Sequence, residues 1–413
     1  MMNFPADGRR LDLDWIRIAA FGLLILYHVG MLYVPWNFHV KSAHRLAEIE
    51  PLMLALNPWR LALLFLVSGA ASRFMLAKWQ PGAFAQARSA RLLLPLAFGM
   101  LVIVPPQSYL EVVLKYGYSG TFTEFYRQHY LAFHAFDPGN GERTGLLLPT
   151  WNHLWFVVYL WVYTLIVAAA ALSPGTIARA ERGLEVILSG ARLLVIPALI
   201  LAAFRLLLFP RFPSTHALLD DWYDHALYGA VFAFGFLAAR SQRIWTDVVR
   251  LRWPALVVGL TAYGIMLVVR GLPASDAISL AQRLLYGFDQ WCLIVAILGF
   301  GHCWLGGKDG PVRRYLTDAV FPYYIVHQTV IIMLAYWLKP SGLPAWLEAS
   351  AIIAGTAVGC ALTFEVVRRV GWLRPLFGLR SSWRKAPQRS GVDAARPSGL
   401  LRRRLALTGR CKI

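Results

Sequence analysis

The chain has 413 residues, of which 58% are hydrophobic and 15% charged, with a formal net charge of +19 and a mean hydropathy of +0.51. Soluble domains carry about 25% charged residues, so this composition excludes an ordinary soluble fold. The apolar residues fall in blocks able to cross roughly 30 Å of hydrocarbon at about 1.5 Å per residue, which predicts an all-α, polytopic membrane protein.

In chain order, about ten transmembrane helices are expected, over 15–36, 59–77, 92–110, 151–172, 191–209, 226–239, 254–270, 287–305, 319–338 and 346–367. The sixth is short and the eighth opens beside Asp289. The first block has no small-residue cleavage site, which argues against a secretory signal. With the N-terminus in the cytoplasm, cytoplasmic segments hold most of the 41 Lys and Arg, and they still lead when the C-terminal tail is set aside. The positive-inside rule then places both termini in the cytoplasm. The excess charge reads as topology and attraction to inner-leaflet lipids rather than as a nucleic-acid surface.

Residues 1–370 are expected to form one membrane-embedded domain. Residues 371–413, basic with Ser, Gly and Pro, are expected to be a disordered cytoplasmic tail. No Walker A loop, dinucleotide fingerprint or internal repeat is visible, and the four cysteines show neither CxxC pairing nor metal spacing. No metal is expected, and any chemistry belongs inside the helix bundle. Among the outward loops, 111–150 is the longest, and the run Asp220–His225 mixes acidic and aromatic residues. That mixture suits either a sugar or an interfacial aromatic belt.

Ionisable residues are costly in a bilayer and point to function by default. Arg17 and His28 share the first span, eleven residues apart, which returns a helix to within roughly 20° of the same face and places His28 roughly 16 Å deeper, near the midplane. Asp14, three residues before Arg17, can pair with it and fix its fork. Arg88 and Arg91 open the third span on the cytoplasmic side with both guanidinium groups on one face. Two such forks grip phosphates in a way that Lys does not, and they equally suit plain anchoring. His153 opens the fourth span and His327 lies in the ninth. Ser68-Gly69 reads as a packing surface rather than a nucleophile, and Glu365 as the partner of Arg368 and Arg369. Arg60 falls at the edge of a span, and Arg205 and Asp289 have no assignable partner.

Taken in order, these runs resemble the acyltransferase-3 family of integral membrane O-acyltransferases. The matching residues are Asp14-Trp-Ile-Arg17 with His28, Phe65-Leu-Val-Ser68-Gly69, Arg88-x-x-Arg91-Leu92, His153-Leu-Trp155-Phe156 and Tyr324-Ile-Val-His327. Ala70, Ala71 and Ser72 depart from the bulky apolar residues usual after Ser-Gly, and the stretch before Arg88 lacks an aromatic-rich run. Within the family the chain looks similar to the glucans biosynthesis protein C branch, which adds succinyl groups to periplasmic glucans.

The resemblance implies a bacterial inner-membrane, multi-pass enzyme that moves an acyl group, acetyl or succinyl, from cytoplasmic acyl-CoA to a hydroxyl of an extracytoplasmic carbohydrate. It implies catalytic roles for His28, Arg17 and Asp14, and donor binding by Arg88, Arg91 and Arg17. Acceptor contacts would come from His153, Trp155 and His327. The competing reading is a transporter or flippase for an anionic lipid or acyl carrier, with the same Arg and His face as a relay.

Overall fold

The structure is a computed structural model, and it describes residues 10–137, 145–173, 175–273 and 275–379. Among them, eight helices are long and apolar enough to cross a membrane. We number the apolar helices α1 (Leu11–Gly30), α2 (Glu50–Leu76), α3 (Pro81–Phe98), α4 (Trp155–Ala170), α5 (Arg192–Leu207), α6 (Trp222–Ala238), α7 (Arg252–Arg270), α8 (Asp276–Leu305), α9 (Pro311–Leu338) and α10 (Ala345–Arg369). Helices α5 and α6, with 16 and 17 residues, fall short of a full crossing by length, whereas α4, also 16 residues, reaches 19 with the preceding turn Asn152–Leu154. A bend of 107° separates α5 from the preceding amphipathic helix Thr176–Ile187.

The pairings between helices decide whether α5 and α6 are crossings. Asp14 meets Arg313 and His28 meets His327, so α1 and α9 run in the same direction. An even number of reversals therefore lies between them, and α5 and α6 cross together or not at all. Trp291 of α8 donates to the Leu193 carbonyl at the start of α5, while a Cβ on Gly287 would meet Ala202 near its end. That antiparallel relation is the one expected of a fifth and an eighth crossing. Phe65 stacks on Tyr228 and Arg73 lies over Phe236, so α2 and α6 are parallel, as a second and a sixth crossing must be. Among the described residues the chain is an all-α bundle, with eight helices able to cross a membrane, or nine if the bent pair before α6 counts as one span. Helices α5 and α6 are oriented as they would be in an alternating bundle.

Several boundaries differ from the hydropathy reading, because a hydropathy window finds the apolar centre of a helix and not its ends. Helix α2 begins at Glu50 rather than 59, which moves Arg60 from the edge of a span to well inside a helix. Helix α8 begins at Asp276, so Asp289 is mid-helix, buried, and without a partner for either carboxylate oxygen among the described residues. Helix α3 begins at Pro81, and Arg88 and Arg91 lie within it rather than at its opening.

Helix α3 loosens into a π-turn over Gly99–Ile103 before Pro105, whose ring nitrogen cannot donate. The carbonyls freed there accept from side chains: Met100 from Tyr130 (2.6 Å), Leu101 from Tyr126 (3.0 Å) and Ile103 from Thr329 (2.8 Å). Backbone polar groups at this depth need such partners.

Residues 371–379 belong with the bundle rather than with a tail. Arg91 donates to the Gly378 carbonyl at 3.1 Å, and Phe377 is buried against Phe98. The remainder of the expected tail, 380–413, lies outside the described residues. Ser68-Gly69 sits inside α2 and packs on α6: a Cβ on Gly69 would stand 2.9 Å from the Phe236 nitrogen, and one on Gly235 would stand 2.8 Å from the Leu66 carbonyl carbon. Glu365 pairs with Arg368 at 2.9 Å and with Arg369 at 2.6 Å, as expected. Arg205 stacks over Phe209 and Tyr286 and donates to the Tyr223 hydroxyl at 3.3 Å.

Candidate active site

Three histidines that lie far apart in sequence meet at one level of the bundle. Helix α1 stops at Gly30, so His28 occupies its last turn and not the middle of a longer span. His153 precedes α4 and His327 is halfway along α9. The His28 and His327 rings stack with centroids 5.1 Å apart, and His153 stands edge-on to His327 at 5.1 Å. Phe21, two turns before His28, packs edge-on against His327, and Phe38 from the following loop stacks over His28. That loop is fastened by Lys41, whose ammonium donates to the carbonyls of Met31, Val34 and Trp36.

The hydrogen bonds assign a direction to the chain of rings. His327 Nδ1 is 2.8 Å from the Tyr324 carbonyl oxygen, which only accepts, so in the neutral ring Nδ1 carries the proton. His327 Nε2 is then a lone pair and accepts from His28 Nδ1–H at 2.9 Å. The proton of neutral His28 is thereby committed to Nδ1, and its Nε2 is left as a bare lone pair. His153 behaves differently. Its Nε2–H is shared between the Tyr324 and Ile325 carbonyls, each at 3.1 Å, and the Tyr324 hydroxyl donates back to the His153 carbonyl. Its buried Nδ1 has no partner among the described residues. His153 and Tyr324 thus clamp the start of α4 to α9.

Trp155 does not join this cluster. Two residues at about 100° each carry it to the opposite side of its helix from His153. There it stacks on His216 with centroids 4.2 Å apart and packs against Phe65 and Tyr228. The acidic outward run is equally occupied. Asp221 accepts from the Tyr159 hydroxyl and the His216 amide, both at 2.8 Å, and Asp224 accepts from Ser214 at 2.9 Å. These aspartates are buried loop anchors.

The predicted arginines gather at the other end of α1. Arg88 has Arg91 and Arg17 as its electrostatic neighbours, and its Nε has no hydrogen-bond partner among the described residues. Arg17 donates to the Thr317 carbonyl at 3.2 Å. Asp14, expected to fix the Arg17 fork, forms a long ion pair with it at 3.9 Å and a closer one with Arg313 of α9 at 2.7 Å. Arg313 reaches Asp14 because α9 lies alongside α1, which sequence spacing within one helix does not reveal. A polar surface hollow of about 710 Å³, lined by residues that include Arg243, Asp247 and Arg250, contains none of these groups.

Two features went unassigned in the sequence. Arg60 is 2% exposed and lies 3.5 Å over the Tyr27 ring, beside His28 in sequence. In the loop that follows α1, His39 meets Glu111 at 2.5 Å, and Lys115 meets the same carboxylate at 2.6 Å. Burial pushes the Glu111 carboxyl up, but the hydrogen bonds and charges of His39 and Lys115 outweigh it and hold the group at about 2. Among the described residues no group of three or more His, Cys, Asp or Glu is arranged to hold a metal ion.

An imidazole nitrogen left as a lone pair in one tautomer, within a membrane bundle that also gathers guanidinium groups, can act as a general base or a nucleophile. A family model described as an acyltransferase domain, that of the acyltransferase-3 family, matches residues 10–365. The chain belongs to the acyltransferase-3 family. No curated protein and no solved structure matches it. This acyltransferase is accordingly a multi-pass membrane enzyme that acylates oxygen, and the family match covers its helical bundle.

Proposed function

We propose that this acyltransferase takes an acyl group, acetyl or succinyl, from acyl-CoA on the cytoplasmic side of a bacterial inner membrane. The acceptor is a hydroxyl of a carbohydrate on the opposite side. The observation that carries the reading is the bare Nε2 of His28, held by the bond from its Nδ1 to His327. Arg17, Arg88 and Arg91 form the basic group at the other end of α1, roughly 16 Å away along the helix. Three guanidinium groups that repel one another are stabilised when an anion sits among them, and the phosphates of CoA supply one.

In the proposed reaction the acceptor hydroxyl gives its proton to His28 Nε2 as its oxygen attacks the thioester carbonyl. The new carbon–oxygen bond forms, the carbon–sulfur bond breaks, and the proton passes from Nε2 to the departing thiolate. His327 stabilises the transient imidazolium by accepting a charge-assisted hydrogen bond from Nδ1. His153 keeps α4 and α9 in place around the rings. Asp14 acts from a distance, by holding Arg313 and hence the α1–α9 register. Membrane lipids surround the bundle, and neither a metal nor nucleic acid has a role in this scheme.

The test uses the full chain in lipid nanodiscs with an acyl-CoA and an oligosaccharide acceptor, with the product followed by mass spectrometry. His28→Ala is expected to abolish transfer while leaving acyl-CoA affinity within a factor of two. Normal transfer by that variant would remove His28 from the reaction. Movement of acyl-CoA or lipid across the membrane without acylation would favour a carrier instead.

A further inference from the structure

Arg60 is a buried cation without a carboxylate partner among the described residues. It lies inside α2, is 2% exposed, and rests 3.5 Å over the face of Tyr27. Its Nε and Nη1 have no hydrogen-bond partner, and no carboxylate pairs with it, among the described residues. The nearby groups are phenols: beyond Tyr27, its electrostatic neighbours are Tyr228 and Tyr286. An aromatic face attracts a guanidinium but does not neutralise it. Burying a cation without a counter-ion costs several kcal/mol, so the bare state of this residue is an expensive one.

The two other arginines buried to a similar degree among the described residues are compensated. Arg10 pairs with Asp12 at 2.6 Å, and Arg313 pairs with Asp14 and Asp309. Arg60 therefore stands out as a cation kept available for an anion that is not part of the chain. Its position says where that anion belongs. The Tyr27 ring, with Arg60 over its face, stands edge-on to the His28 ring with centroids 6.3 Å apart. The group that Arg60 serves is thus a neighbour of the reacting atoms.

We propose that Arg60 binds a carboxylate carried by one of the two reactants. Resting on the acyl-transfer reading above, that carboxylate is either the distal one of a dicarboxylic acyl group or one borne by an acidic acceptor sugar. A carboxylate, unlike the transient charge of the reaction, offsets the buried cation from binding of that reactant to release of the product. It also gives selectivity, because a neutral analogue of the same shape leaves the guanidinium desolvated and unpaired.

The experiment measures binding, which does not depend on turnover, with the full chain in nanodiscs and calorimetric titration. The donor arm compares monomethyl succinate with methyl butyrate. The acceptor arm compares methyl glucuronoside with methyl glucoside. In one arm the charged probe is expected to bind at least tenfold more tightly than its neutral counterpart, and Arg60→Gln is expected to abolish that preference. The arm that responds identifies the reactant. Arg60→Gln removes an uncompensated buried charge, so its unfolding temperature is expected to equal or exceed that of the unaltered protein.

A preference in neither arm, or one that survives Arg60→Gln, overturns the proposal. So does a marked fall in unfolding temperature, which would make Arg60 a structural residue. His28→Ala separates this result from the catalytic reading: it is expected to stop transfer and leave the charged-probe preference intact.

Discussion

Replacing His327 by Phe keeps an aromatic ring of similar size between Phe21 and His28 but removes the acceptor for His28 Nδ1–H. Two losses follow. In the resting enzyme the His28 ring is free to exchange tautomers, so part of the population presents a protonated Nε2. In the transition state the forming imidazolium loses a hydrogen bond now 2.9 Å long. A hydrogen bond to a charged group contributes about 1.5–3 kcal/mol, which at about 1.4 kcal/mol per decade is roughly a 10- to 150-fold fall in kcat. KM should change little, because the arginine group at the far end of α1 is untouched. His327→Gln offers a carbonyl oxygen near the position of Nε2 and is expected to recover part of the rate. The assay is acyl transfer under single-turnover conditions, with circular dichroism to show that each variant is folded. If His327→Phe turns over within a factor of two of the unaltered enzyme while His28→Ala is inactive, the tautomer argument is wrong and His327 merely packs.

Three further outcomes are expected. Arg88→Lys and Arg91→Lys keep the topology charge but lose the planar fork; each should weaken acyl-CoA affinity by about tenfold, one charge-assisted hydrogen bond, and unchanged affinity in both would leave them as anchors. Gly235→Ala forces a methyl group against the Leu66 backbone of α2 and should destabilise the bundle by about 1–3 kcal/mol, read as a lower unfolding temperature in nanodiscs. Glu111 has its folded value depressed from 4.5 to about 2. Its contribution, on the order of 3 kcal/mol at most, is present above about pH 4.5 and lost as pH falls through about 2. Glu111→Gln should therefore flatten the acid limb of a stability profile, and an unaltered limb would refute that linkage.

Much of the architecture was legible in the sequence because crossing a bilayer demands long apolar runs, and those runs are local. The Glu365 pairing was legible for the same reason, since it depends on neighbours along one helix, and Ser68-Gly69 was legible as a packing surface from its small side chains, though not as one that meets α6. What could not be read were relations between helices. His28, His153 and His327 each looked weak alone, and nothing local says that the end of α1, the start of α4 and the middle of α9 share a level. Helical spacing proposes Arg17 as a partner of Asp14, which it is at 3.9 Å, but does not reveal the closer pair with Arg313 on another helix. Arg60 escaped notice for a different reason. Glu50, Asn57 and Arg60 lower the hydropathy of the first half of α2, so the span was started too late and a buried cation looked peripheral.

The parallel pair α1 and α9 bears on how the two ends of the site act together. Asp14 meets Arg313 at one end and His28 meets His327 at the other, and the same sequence interval separates the two rungs on both helices. They lie roughly 20 Å apart along the pair. A slip of either helix by one residue rotates it by about 100° and breaks both rungs at once, so each rung protects the register of the other. Arg313→Met keeps much of the side-chain volume but releases Asp14, which is 17% exposed and can turn to water or to Arg17. The expected cost is about 1–3 kcal/mol, below that of breaking a fully buried pair. If the lower rung also sets the upper one, Arg313→Met lowers kcat although it is far from His28, and a disulfide engineered across α1 and α9 between the rungs restores the rate. A loss of stability with an unchanged kcat would show that the histidine rung keeps its own register.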